Sequence, residues 1–438
     1  MIRLTRMELT NFRKYETLRI TFDPKVTVIV GGNGAGKSSV LDAAAIALGS
    51  FFLPFPTISQ GRNIQQDDAF AFSKRTGEDS VDVRRRYPVS VHAYGEYDGR
   101  EIEWVRSKLS ERGNMTTRDA RELSDIARGL YENISSDGTD APPVELPLIS
   151  YYGTGRLWAQ RRGRTSDLRK PGNREDGYSS ALEPRADEKS LTSWLKRSTM
   201  LGLQKGRVPA TLRAVQAAVE RAIRAVTGSE RANVYYDLEL DTIAVEYTES
   251  TGRLIALPMA QLSDGYRTTL SMIADIAYRM AELNPHFENE VIERTGGVVL
   301  IDEVDLHLHP TWQERIIGDL TDIFPRVQFI VTTHAPSVVS SVQSTQVRIL
   351  DSKDGTHLEA KTPGNQTYGR DVPSIFREVM DAPERPQEVS ESLRKVQQAI
   401  DLEDFEEASR LLEQLKSKVG SNDPEVTGLE TTLYLEQI

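Results

Sequence analysis

The stretch Val26–Gly49, VTVIVGGNGAGKSSVLDAAAIALG, decides how the rest of the chain is read. Val26–Val30 is apolar and β-branched, the pattern of a strand buried on both faces. The loop Gly31-Gly32-Asn33-Gly34-Ala35-Gly36-Lys37-Ser38 follows and fits G-x-x-x-x-G-K-[ST] at each fixed position. From about Ser38 the spacing predicts a helix that stops at Gly49. Strand, glycine loop and helix in this order make an anion cradle. Glycines let the backbone curl until successive N–H groups point inward. The helix N-terminus adds roughly half a positive charge at the same spot. Lys37 is placed to reach the β- and γ-phosphates of a nucleotide such as ATP, and the Ser38 hydroxyl to ligate Mg²⁺.

The 438 residues leave room for two domains or one large domain with insertions. A hydrophobic content of 38% supports a core. The net charge of −11 argues against global steering toward nucleic acid and leaves only local basic patches for that role. The absence of cysteine excludes disulfides, thiolate metal sites and thiol nucleophiles, and fits a cytoplasmic protein. MIRLTRMELTNF lacks the apolar run of a signal peptide, and no stretch is long and apolar enough for a membrane span, so no membrane partner is expected.

Outward from the loop, residues 2–10 alternate as a strand, Asn11–Tyr15 turns, and Leu18–Phe22 returns. That hairpin either holds Arg13 or Lys14 over the nucleotide or leaves them as solvated turn charges, which spacing alone favours. Residues 50–80 read as irregular. Two strand runs within 87–108 flank the hairpin signal Asp98-Gly99. Residues 116–134 have helical spacing, and Leu146–Tyr152 reads as a buried strand ending in Gly153–Trp158. Residues 160–189 hold Arg161, Arg162, Arg164, Arg169, Lys170 and Arg174. They form either a loop that touches phosphate, nucleic acid or a partner, or a solvated insertion; no interleaved aromatics support base stacking. Two helices are predicted over 190–226, broken near Gly206–Pro209, then strands over 234–247 and 253–257.

Farther along, Leu262-Ser263-Asp264-Gly265 precedes a long helical pattern, and a Ser and a Gly at a helix start form a second anion site. The apolar run Val298–Ile301 delivers Asp302 and Glu303 at a strand end. Asp302 suits Mg²⁺, directly or through water, and Glu303 is placed to orient and deprotonate an attacking water. His307 and His309 either belong to a metal site or line the entry to a helix at Pro310, the reading that loop spacing favours. Val327–Thr333 is the next strand, and His334 at its end either meets the γ-phosphate or is structural.

This ordered set resembles the ABC-type ATPases of the RecF/SMC branch, over roughly 1–50 and 146–380. GGNGAGKSS, Gly31–Ser39, matches Walker A. Arg13 in NFRKY matches an element that lies near the phosphates in that branch. LSDGY resembles the signature motif, with Ser263 and Gly265 in place and Asp264 replacing the commoner second glycine. VVLIDE matches Walker B, with Glu303 as catalytic glutamate. Asp305 takes the D-loop position and His334 that of the switch histidine. The resemblance implies an α/β P-loop NTPase of ABC type. Its core would be 1–160 and 290–370, with a helical insertion carrying the signature motif over 161–289 and an acidic helical module over 371–438. It also implies a head-to-tail pair, each ATP held between Walker A of one copy and the LSDG helix of the other.

A closer similarity, carried by PLISYYGTGRLW, LIDEVDLHLHP and QFIVTTHAP, is to the compact ATPases of the Septu and retron-associated anti-phage systems. Such ATPases work with a separate HNH-type nuclease, and DNA or RNA is met through the complex. The alternative is a RecF-like DNA repair or maintenance ATPase that binds DNA itself. The glutamine loop usual in ABC ATPases, which links Mg²⁺ to the inserted lobe, is missing after LPLISYY; Gly153–Arg156 stands in its place, with Arg156 as the candidate contact. Residues 371–438 hold 16 Asp/Glu against 7 Lys/Arg and predict helices at 387–401, 403–419 and 424–436. This tail is either a docking module or a cap on its own core. No nuclease motif is visible in the chain.

Overall fold

The computed structural model describes residues 1–75, 81–135, 143–157, 173–183, 188–249, 251–351, 355–381 and 385–436. Val26–Val30 lies inside a five-stranded sheet in the order Val347–Ile349, Val26–Val30, Val327–Thr332, Gly297–Ile301, Leu148–Tyr152. Every pairing in it is parallel. The four longer strands are buried at every residue, which is why they read as mostly apolar runs. Because the strands run the same way, their C-terminal ends share one edge. The segments beginning at Gly31, Gly153, Asp302 and Thr333 all leave from that edge, the usual place for a ligand crevice in such sheets.

The helix after the glycine loop spans Lys37–Leu48 and is buried at ten of its twelve residues. Trp104 Nε1 donates to the Ala47 carbonyl at 2.9 Å and ties it to a second sheet. That sheet runs His357–Glu359, Tyr15–Thr21, Ile2–Phe12, Val89–Tyr97, Arg100–Lys108. It is antiparallel apart from the His357–Glu359 edge. Asp98 and Gly99 both adopt positive φ, +49° and +81°, as a tight hairpin turn of this type requires.

Residues 188–283 are mostly helical where described. Glu188–Lys205 and Ala210–Thr227 accompany a three-stranded antiparallel sheet, Ala232–Asp237, Thr242–Thr248 and Leu254–Pro258. The helix Asp264–Leu283 follows. Residues 234–247, expected as one strand, fold as a hairpin because Asp237 turns the chain by accepting from Glu239 N and Leu240 N at 2.9 and 3.0 Å. Residues 50–75, the described part of the stretch expected to be irregular, hold regular elements. A short 3-10 turn at Gly49–Phe52 buries Phe51 and Phe52 against Phe55 and Tyr178. Ala71–Arg75 pairs with Val81–Arg85, a ribbon too charged to announce itself by alternation.

The chain divides into two compact units, residues 1–375 and 376–438. In the second, helices Gln387–Asp401, Phe405–Val419 and Pro424–Glu436 enclose a core of its own, centred on Val396, Ala408, Leu412, Leu415 and Val426.

Candidate functional site

Gly34 and Gly36 hold φ of +74° and +93°, so the loop takes turns that side chains resist. A Cβ on Gly36 would stand 2.2 Å from the Tyr15 hydroxyl oxygen. The turn at Asn11–Tyr15 supports the loop from beneath. Tyr15 donates to the Ala35 carbonyl at 2.6 Å and Lys14 to the Gly34 carbonyl at 2.9 Å. Lys14 is therefore a buttress of the loop. Asn33, Gly34 and Ser38 are exposed, and a Cβ on Gly34 would meet nothing within 4 Å.

Lys37 is buried, with 6% of its surface exposed, and its ammonium donates to the Gly31 and Gly32 carbonyls at 2.8 and 3.3 Å. Burial lowers its pKa, while Asp302, Glu303 and Asp305 pull the other way. The loop cation thus sits in the field of three carboxylates from a strand two places away in the sheet.

Two of those carboxylates, and the backbone of Glu303, are set by a pair of threonines, Thr332 and Thr333, which sequence spacing does not single out. The Thr332 hydroxyl donates to Asp302 Oδ1 at 2.6 Å and accepts from the Glu303 N–H at 2.8 Å. The Thr333 hydroxyl donates to Asp305 Oδ1 at 2.6 Å and accepts from the Ala335 N–H at 3.0 Å. The available signal was the Thr-Thr-His string at a strand end. Glu303 holds φ of +49°, a turn that swings the chain out of the strand line. His334 is half-buried on the same edge.

Arg13 is committed to protein partners. It reaches Asp42 through Nη2 at 2.5 Å, Asp68 through Nε at 2.9 Å and the Ser39 hydroxyl through Nη1 at 3.2 Å. Arg62 bonds the same two carboxylates at 3.1 and 2.6 Å. Two guanidiniums and two carboxylates form a closed square, and the Tyr151 hydroxyl donates to the remaining Asp42 oxygen at 2.9 Å.

The Asp264–Leu283 helix starts at Ser263, which is exposed and whose side chain makes no capping bond. Asp264 pairs with Arg267 at 3.1 Å, so the carboxylate at this helix start has its own counter-charge. Gly265 is buried against the segment after the acidic pair, and Tyr266 meets Trp312 edge to face at 4.1 Å between ring centroids. Among the described residues no hydrogen bond or ion pair joins Ser263 to Gly31–Ser39. His309 caps the helix at Pro310 by accepting from Thr311 N at 3.4 Å. No cluster of three metal-binding side chains occurs among the described residues.

Trp158, Gln160, Arg161, Arg162, Arg164, Arg169 and Lys170 lie outside the described residues, as does the side chain of Arg156. Arg174 is held by the Leu283 carbonyl at 2.8 Å and the Val144 carbonyl at 2.5 Å.

The chain is 25% identical to the Retron Vc95 probable ATPase of Vibrio cholerae serotype O1 biovar El Tor, over 90% of this chain and 81% of that protein. It is 28% identical to the Retron Ec83 probable ATPase of Escherichia coli, over 82% and 73%. A shorter match, 39% identical over 25% of this chain and 15% of the other, is to the Septu protein PtuA of Bacillus mycoides strain KBAB4. The family described as "AAA domain, putative AbiEii toxin, Type IV TA system" matches residues 26–340. That match covers well over half of the 438 residues and takes in the glycine loop, the Ser263 helix and the Asp302-Glu303 strand end, and the chain belongs to this AAA-domain family.

Proposed function

We propose that this chain binds and hydrolyses ATP as the switch subunit of an anti-phage defence complex. In this reading two copies close head-to-tail around nucleotide, and the closed state controls a separate HNH-type nuclease. The retron and Septu relatives support the defence setting. The Ser263 helix start carries the head-to-tail part: its hydroxyl is exposed at an anion-seeking helix end and makes no capping bond to its own helix.

The donor set fits the nucleotide and its metal. Gly31, Asn33, Gly34, Ala35 and Gly36 supply the backbone cradle, and Lys37, Ser38 and Ser39 stand at the helix start. One hydroxyl from Ser38 and one carboxylate from Asp302 suit Mg²⁺, which takes few protein oxygens and keeps waters and phosphate oxygens. When bound, Mg²⁺ would neutralise charge on the transferred phosphoryl group.

Lys37 exchanges its two carbonyl partners for phosphate oxygens, a charge-assisted contact. Glu303, fixed through its backbone by Thr332, accepts the proton of the attacking water. His334 and Asp305 complete the edge, with Asp305 held by Thr333. Ser263 and Gly265 of the second copy close the site over the γ-phosphate. Loss of that phosphate removes the contact that distinguishes closed from open. The acidic helical unit at 376–438 has its own core and suits docking of the partner.

The test is the assembly state of the Glu303→Gln chain. With Mg·ATP its mass in solution should double, and Ser263→Arg in that background should stay single while still binding nucleotide. A chain that stays single with bound ATP overturns the head-to-tail reading. ATP turnover stimulated by DNA, and lost on neutralising Arg161, Arg162 and Arg164, would favour the RecF-like repair ATPase instead.

A further inference from the structure

Tyr151 and Tyr152 are consecutive residues at the end of the Leu148–Tyr152 strand, and their side chains leave opposite faces of the sheet. Tyr151 donates to Asp42 Oδ1 at 2.9 Å, on the helix that follows the glycine loop. Tyr152 donates to Asp275 Oδ2 at 2.7 Å, on the helix that begins at Ser263. The strand end they share is tied to the acidic pair, since the Tyr152 carbonyl accepts from the Asp302 N–H at 2.8 Å.

The Tyr152 contact is a buried charged cluster. Asp275 also accepts from Arg279 Nε at 2.7 Å, and both side chains are at most 5% exposed. Arg279 in turn donates to the Gly177 and Ser179 carbonyls at 3.0 and 2.9 Å. The second Asp275 oxygen is buried with no hydrogen-bond partner among the described residues. The ion pair lies within one helix, so it does not anchor that helix to the sheet by itself. An apolar trio of similar size would pack here at no desolvation cost, so such pairs are poor sources of stability. What the cluster supplies is a fixed register between the strand end and the helix, made through one hydroxyl.

We propose that Tyr152 is a positioning residue for the nucleotide reaction, coupling the Asp302 end of the site to the Ser263 helix through Asp275. This rests on the ATP-dependent reading above and assigns the link that a glutamine loop would otherwise make. Tyr151 does the same on the opposite face, toward the phosphate helix. A shift of the Asp302 backbone therefore moves both helices from one strand end.

The experiment compares amide hydrogen exchange in the full Glu303→Gln chain with and without Mg·ATP, in the presence and absence of Tyr152→Phe. In the parent, ATP should protect both Gly31–Ser38 and Asp264–Leu283. With Tyr152→Phe, protection of Gly31–Ser38 and nucleotide affinity should stay, while protection of Asp264–Leu283 falls about tenfold, the size of an ordinary coupling. Asp275→Asn, which keeps an acceptor for Tyr152, should retain part of the response. An unchanged helix response in Tyr152→Phe, or one missing already in the parent, overturns the coupling. So does a loss at both segments together with a lowered melting temperature, the mark of a merely structural hydroxyl. Failure of the functional reading looks different: no protection at Gly31–Ser38 in the parent.

Discussion

A Cβ placed on Gly265 would stand 2.4 Å from the carbonyl oxygen of His307, so the first turn of the Ser263 helix lies directly on the backbone that follows Asp302-Glu303. The obstacle is backbone, which cannot step aside as a flexible side chain would. Gly265→Ala should therefore push the helix start away and cost about 1–3 kcal/mol of stability, the usual range for overpacking. ATP-dependent association should be lost while the glycine loop still binds nucleotide. Denaturant unfolding and sedimentation check the two parts, and unchanged association would show that the helix start is not at the closing surface.

Lys37 gives a pH dependence whose sign is fixed. Burial lowers its pKa below 10.5 in spite of Asp302, Glu303 and Asp305. Between that lowered value and 10.5 the unfolded chain binds more protons than the folded one, so this group makes stability rise with pH in that window. Nucleotide affinity should run the other way, weakening as pH climbs through the lowered value and the ammonium is lost. Lys37→Ala should remove this pH dependence and weaken Mg·ATP binding by about ten- to hundredfold, the equivalent of a charged hydrogen bond. Titration of a fluorescent ATP analogue at several pH values measures both.

Glu303→Gln should bind Mg·ATP within a few-fold of the parent, because Thr332 holds residue 303 through its backbone N–H and not through its side chain. Turnover should drop by about 10²–10⁴-fold, the usual worth of a positioned base. Phosphate release under saturating ATP is the measurement. An unchanged rate would remove Glu303 from the role of base.

What the sequence made legible is local. Val26–Gly49 displayed strand, loop and helix because phosphate-cradling geometry needs glycines at fixed intervals. Asp98-Gly99 displayed its turn because only certain residues accept positive φ twice in a row. Pairings across long separations left no local mark. Arg13 meets Asp68 over 55 residues and Tyr152 meets Asp275 over 123. Thr332 is separated from Asp302 by 30 residues, and only the parallel pairing of Gly297–Ile301 with Val327–Thr332 brings the hydroxyl to the carboxylate. Arg13 was expected to be a solvated charge or a phosphate contact, and neither reading foresaw two aspartates from the loop helix and the 66–68 turn.

That square makes the last prediction. Asp68 is only 1% exposed and carries Arg13, Arg62 and the Gln65 N–H. Asp68→Ala leaves two partly exposed guanidiniums on one carboxylate and takes the acceptor from the Gln65 N–H, and should destabilise the fold by about 1–3 kcal/mol. The arginines are not equivalent. For Arg13 to reach phosphate it must leave Asp42 and Asp68, and Arg62 already bonds both, so Arg62 can hold the carboxylates in its place. Without Arg62, departure of Arg13 would strand two buried or half-buried acids. Arg62→Ala should therefore weaken Mg·ATP binding although the side chain is one step removed from the loop. The effect should vanish in an Arg13→Ala background, where no guanidinium has to move; such non-additivity is the signature of one shared network. A double-mutant cycle on nucleotide affinity decides it: additive losses would mean that Arg13 stays on its aspartates throughout and takes no part in holding phosphate.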